Sequence, residues 1–159
     1  MSTKRLDPDV ENEKLQQFIF EMGDRQEAFL ASLDQKGYRL DYSLDSLPEL
    51  GRYIDARKSE MQWRDKSDTA IELRLDCWSY IGETFRKNFG GGWNVSLEDL
   101  DSVLYGQFVI EKFDEIGQEF DPLGTLQSYL LRGMQSIRSM MEAHVDYTPI
   151  DLSGLPKEA

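Results

Sequence analysis

The stretch DTAIELRLDCWSYIGETFRKNFGGG, residues 68–92, decides how this chain folds. Ile71, Leu75, Trp78, Gly82, Phe85 and Phe89 recur at helical spacing and form one apolar stripe. Ala70, Leu73, Cys77 and Ile81 widen that stripe to more than half the circumference, so this helix must touch neighbours on several sides. Gly82 gives up helix propensity in the middle of it, which predicts close backbone approach by another element. Gly90-Gly91-Gly92 then stops the helix and turns the chain into a strand. A phosphate loop would need its glycines ahead of a helix, where free N–H groups and the positive helix end face the anion. Here they follow one, and no Gly-Lys-Ser/Thr accompanies them.

Working outward, Asp7-Pro8 is a helix start, with a capping carboxylate followed by a proline in the first turn. Leu15, Phe18, Ile19, Met22, Phe29, Leu30 and Leu33 continue at helical spacing to a stop at Gly37. That helix would run roughly 40 Å, at about 1.5 Å per residue. At that length part of it could serve a partner or a second copy of the chain, with lengthwise packing across the domain as the default. Tyr38 to Tyr42 reads as an extended connector. Ser46-Leu-Pro-Glu49 has the form of a capping box. Leu47, Leu50, Ile54 and Met61 mark one face of a second helix, broken at Asp65-Lys-Ser-Asp68. After the glycines, Trp93 to Val95 and Tyr105 to Phe113 read as strands, the second alternating Phe108 and Ile110 against Val109 and Glu111. Asp121-Pro122 starts a last helix with a seam of Leu123, Leu126, Leu130, Met134, Ile137 and Met141.

The expected fold is α+β: four helices around a small antiparallel hairpin or meander inserted between the third and fourth. Residues 1–144 form one domain, with a long helix over 1–37 and a main body over 38–144. Residues 145–159 form a tail marked by Pro149, Gly154 and Pro156.

The chain has 159 residues and a formal net charge of −12, but one histidine and one cysteine. That starves most metal, redox and nucleophilic mechanisms of parts. Cys77 cannot pair within the chain and lies in the apolar arc, where an inert buried thiol is expected. His144 sits at a helix end that favours a cation. Neither metal nor cofactor is expected. The acidic balance argues against nucleic acid and anionic membranes, whose recognition needs clustered Lys and Arg. No secretory signal or spanning segment is visible, so the expected setting is cytoplasmic.

Among candidate groups, Glu83 falls on the polar face of the central helix with Asp76 and Tyr80, four residues before Lys87, in the order that favours a surface pair. Tyr80 reads equally as a core residue with a wet hydroxyl or as part of a contact surface. Trp63 borders polar sequence, and Trp is enriched at binding hot spots. Met134, Met140 and Met141 could line an adaptable groove, with core filling as the default. The strongest regional signal is charge. Between Leu97 and Asp121, Glu98, Asp99, Asp101, Glu111, Asp114, Glu115, Glu119 and Asp121 face Lys112 alone. Such a patch could steer a basic protein into contact.

Tyr80-Ile-Gly-Glu83, Gly91-Gly92-Trp93, Tyr105-Gly106, Asp121-Pro122-Leu-Gly124 and Tyr129-Leu-Leu-Arg-Gly133 follow one another in an order that resembles small uncharacterised bacterial proteins. Asp41-Tyr-Ser-Leu-Asp-Ser-Leu47 resembles the start of the same domain. The resemblance covers residues 38–143. It implies the fold and a bacterial origin, but no active site; some similar small acidic proteins serve as immunity partners of toxins.

Three functions follow as expectations. The first is a non-enzymatic, acidic interaction protein, immunity- or antitoxin-like, that masks a basic partner through Glu98, Asp99, Asp101, Glu111, Asp114, Glu115, Glu119 and Trp63. The second is a small hydrolase or ligand-processing enzyme using Glu83, Tyr80 and a neighbouring carboxylate. The third is a scaffold that self-assembles, as a homodimer, through the N-terminal helix.

Overall fold

A computed structural model describes residues 5–133 and 135–145. Met134 and the expected tail beyond residue 145 lie outside them. The described residues hold five α-helices and one two-stranded sheet: α1 (Pro8–Gln35), α2 (Leu47–Arg57), α3 (Asp68–Phe89), β1 (Gly92–Val95), β2 (Phe108–Glu111), α4 (Pro122–Arg132) and α5 (Ile137–Val145). None of these helices is long and apolar enough to cross a membrane.

Local chemistry sets most of the boundaries. Asp7, Ser67 and Asp121 each accept a backbone N–H of the helix they precede, from Asp9, Ala70 and Gly124. At the far end of α1, Gly37 sits at φ +91°. Its N–H donates to the Asp34 carbonyl (3.1 Å), and the Tyr38 N–H donates to that of Leu33 (2.9 Å). This paired closure uses the backbone freedom of glycine.

The expected capping box does not form. A 3₁₀ turn over Leu44–Ser46 leads directly into α2, so Ser46 is already helical (φ −79°, ψ −14°). Its hydroxyl donates instead to the Ser43 carbonyl (2.7 Å) and meets the Tyr80 hydroxyl at 2.5 Å. Helix α2 stops at Arg57, and Met61, fully buried, lies beyond it.

The expected last helix is two helices, α4 and α5. Gly133 takes a left-handed conformation (φ +59°) that breaks the run after Arg132. Leu126, Ile137 and Met141 are buried as the seam requires, from two segments and not one.

The second strand is shorter than expected, four residues in place of the nine from Tyr105 to Phe113, while the first begins one residue earlier, at Gly92. They pair antiparallel with Trp93 opposite Ile110 and Val95 opposite Phe108. The N–H and carbonyl of Ile110 turn the other way and exchange hydrogen bonds with Phe120, both at 2.9 Å. Val109 and Ile110 are both buried, so β2 does not alternate between core and solvent. The sheet is also not ringed by helices: α1 packs on β1, α3 and α4 pack on β2, and α2 packs on α5.

Helix α3 is central as expected, but its buried face is rotated. Ile71 is 44 % exposed, while Ala70, Cys77, Tyr80, Ile81 and Phe85 are buried. Phe85 stacks on Phe120 with ring centroids 4.1 Å apart, which ties α3 to the chain just before α4. The close approach at Gly82 is made by side chains: a Cβ there would collide with the Trp93 indole and lie 3.0 Å from Pro122 Cγ.

Two glycines inside helices therefore behave oppositely. Gly82→Ala should destabilise the fold by about 2 kcal/mol, because overpacking displaces Trp93. Gly23→Ala should stabilise it by about 1 kcal/mol through helix propensity, since a Cβ at Gly23 meets nothing within 4 Å. Urea unfolding midpoints would read both changes.

Candidate functional site

A cleft of about 480 Å³ opens between α1, α3 and β1. The last two turns of α3 supply Glu83, Arg86 and Lys87; β1 supplies Trp93, and α1 supplies Met22 and Gly23. Glu83 does not stand in solvent beside Lys87. Its carboxylate accepts two hydrogen bonds from Arg86 (3.0 and 2.8 Å) and one from the Trp93 indole N–H (2.7 Å). The helical spacing of Glu83 with Lys87 permitted a surface pair, but the fold brings Trp93 closer. Burial works to raise the Glu83 pKa, yet these hydrogen bonds and the charges of Arg86 and Lys87 hold it below the ordinary glutamate range. Lys87 lies over the Tyr42 ring, 4.9 Å from its centroid. Burial, then the Glu83 charge, pushes the Tyr42 hydroxyl up to about 12. That hydroxyl donates to Gln26 Oε1 (3.2 Å).

Tyr80 is fully buried and is a core residue. Its hydroxyl accepts the Tyr42 backbone N–H (2.9 Å) and meets Ser46, away from the cleft. Asp76 is drawn to α1, where Arg25 pairs with it at 3.3 Å. Burial raises its pKa more than Arg25 lowers it.

The acidic run divides by task. Asp114 accepts the N–H groups of Gly117 and Gln118 and so holds its own turn. Glu119 accepts the Ser96 hydroxyl (2.9 Å), linking two loops. Asp121 caps α4, and Asp99 accepts the Asp101 N–H within one turn. Glu111 is half-buried on β2. Glu98, Asp99, Asp101 and Glu115 are exposed.

Trp63 is half-buried, with the Arg74 guanidinium 5.3 Å and the Lys66 ammonium 5.8 Å from its ring centroid. It covers Arg74, whose N–H groups go to the carbonyls of Gln62 and Asp65. No hydrogen bond or ion pair among the described residues joins Trp63 to the acids. Cys77 is fully buried, and burial pushes its thiol well above the ordinary range. His144 Nδ1 lies 3.2 Å from the Met140 carbonyl, and its ring meets Phe120 edge-on. Among the described residues, no three His, Cys, Asp or Glu side chains are grouped to hold a metal ion.

The outer face of α1 carries a group of residues that the apolar periodicity does not mark. Opposite the buried Leu15, Met22, Gln26, Phe29 and Leu33, the helix exposes Asp9, Glu13, Asp24, Glu27 and Asp34. Phe20 stands among them, 83 % exposed. The two bases of α1 turn aside, Lys14 to Glu11 and Arg25 to Asp76. The signal was available: Phe20 falls off the apolar stripe by about 160° at about 100° per residue. No family model, curated protein or solved structure matches this chain.

Because the folded chain binds the Glu83 proton less readily than the unfolded chain, ionised Glu83 stabilises the fold at neutral pH. That contribution is lost as the pH falls from the ordinary glutamate value of 4.5 through the lower folded value. Trp93→Phe removes one donor, so the Glu83 titration should move upward. Carboxyl-carbon NMR would follow it, and an unmoved titration would assign the lowering to Arg86 and Lys87.

Proposed function

We propose that this chain is a non-enzymatic, acidic interaction protein, of bacterial type and immunity- or antitoxin-like, that binds and masks a basic protein partner. The observation that carries this reading is Phe20, exposed in the middle of five acids on a helix face that carries no Lys or Arg. An aromatic anchor supplies local binding energy, while surrounding charge speeds encounter and rejects acidic competitors. The exposed Glu98, Asp99, Asp101 and Glu115 add a second set of acids, on the loops before and after β2. The resemblance of its motif order to that of small uncharacterised bacterial proteins is in keeping with the same reading.

The two other readings find less support. A carboxylate enzyme needs a free general base, and Glu83 already accepts three N–H bonds while Tyr80 faces the core. Self-pairing through the outer face of α1 would set like charges against each other across a two-fold axis.

Photo-crosslinking tests the proposal. With a photoreactive phenylalanine at position 20, the expected product in cells of the source organism is one basic protein. Against that purified protein, Phe20→Ala should weaken binding about 30-fold, the loss of about 2 kcal/mol typical of a hot spot. Reversing Asp24 and Glu27 to Lys should slow association and flatten its salt dependence. Reversing Glu98, Asp101 and Glu115 tests the second region in the same assay. An acidic partner, or an affinity indifferent to all of these changes, would overturn the reading.

A further inference from the structure

We infer that the cleft between α1, α3 and β1 binds a small carboxylate with an apolar body. This goes beyond the protein-binding role and does not depend on it, because it uses a different surface.

The first observation is Gly23. It lies inside α1, where glycine costs about 1 kcal/mol relative to alanine. Elsewhere a glycine in a helix is explained by what packs on it, as Trp93 and Pro122 do at Gly82. Nothing lies within 4 Å of a Cβ built at Gly23, and its backbone angle is ordinary. What the missing side chain leaves is open space in the cleft wall. The cost has no return within the described residues, and a ligand resting there would supply one.

The second observation is charge. The cleft holds two cations, Arg86 and Lys87, against one carboxylate, in a chain whose net charge is −12. Glu83 is saturated by Arg86 and Trp93 and has little capacity left for a ligand. Lys87 is exposed and forms no ion pair among the described residues; its ammonium only rests over Tyr42. Of the three Arg86 nitrogens, Nε and Nη2 are used on Glu83, which leaves Nη1. A ligand carboxylate would therefore find its donors at the α3 side of the cleft. The indole of Trp93 and the side chain of Met22 offer the apolar walls on which the rest of the molecule would lie. The volume of about 480 Å³ falls within the range of small-molecule sites.

The test is a titration of the full chain with 4-phenylbutyrate, octanoate and indole-3-acetate, followed by the Trp93 indole N–H resonance. At least one should give a saturable shift with a dissociation constant below about 1 mM. The uncharged 4-phenylbutanol should bind at least about tenfold more weakly than 4-phenylbutyrate, the loss expected for one charge-assisted hydrogen bond. Lys87→Gln should reduce that difference, leaving what Arg86 supplies. Gly23→Leu should abolish binding while raising the thermal midpoint, which separates a filled cleft from a misfolded chain. Phe20→Ala should leave binding unchanged, so failure of the protein-binding role and failure of this site are distinguishable. The inference falls if none of the three carboxylates shifts Trp93, if the alcohol binds as well as the acid, or if Gly23→Leu binds like the wild type.

Discussion

The contact on which the arrangement depends is the seating of Trp93 against Gly82. Without a side chain at Gly82, the indole and Pro122 both lie directly on the backbone of α3. One vacancy thus admits the first strand and the start of α4 to the same helix. The indole N–H then reaches Glu83, one residue further along α3. A packing constraint and a polar constraint meet at adjacent positions, so Trp93 has little freedom to sit elsewhere. Its ring also joins Phe18 and Trp78, with centroids 5.1 and 6.1 Å away, which brings α1 into the same cluster.

Charge is distributed by the same logic of use and exposure. The best-placed cations are tied inward or sideways: Arg74 to loop carbonyls, Arg86 to Glu83, Arg25 to Asp76 and Lys14 to Glu11. Acids without such partners remain on the outer face of α1 and on the loops beside the sheet.

The α+β class, the starts at Asp7 and Asp121, the stop at Gly37 and the centrality of α3 were legible in the sequence. Each rests on interactions within a few residues, or on a periodicity that local spacing preserves. The capping box at Ser46 was misread because the serine hydroxyl has a distant competitor in Tyr80, 34 residues away. The single last helix was misread because Gly133 sits inside an unbroken apolar seam, and periodicity does not register one left-handed residue. Of the candidate sites, the acidic run was visible as composition. Which of its members are exposed, and which hold turns, depended on partners such as Ser96 and Gln118 that only folding supplies.

What the sequence determined by itself was the element types and the sign of the surface, because propensity, capping and net charge are properties of neighbours and of totals. Tertiary structure alone decided that Glu83 belongs to Arg86 and Trp93, that Tyr80 is core, and that Gly23 opens onto empty space while Gly82 is filled. Those outcomes depend on which of several chemically suitable partners arrives within hydrogen-bond or van der Waals reach. That distance is fixed by the packing of the whole chain and is not encoded in any one segment.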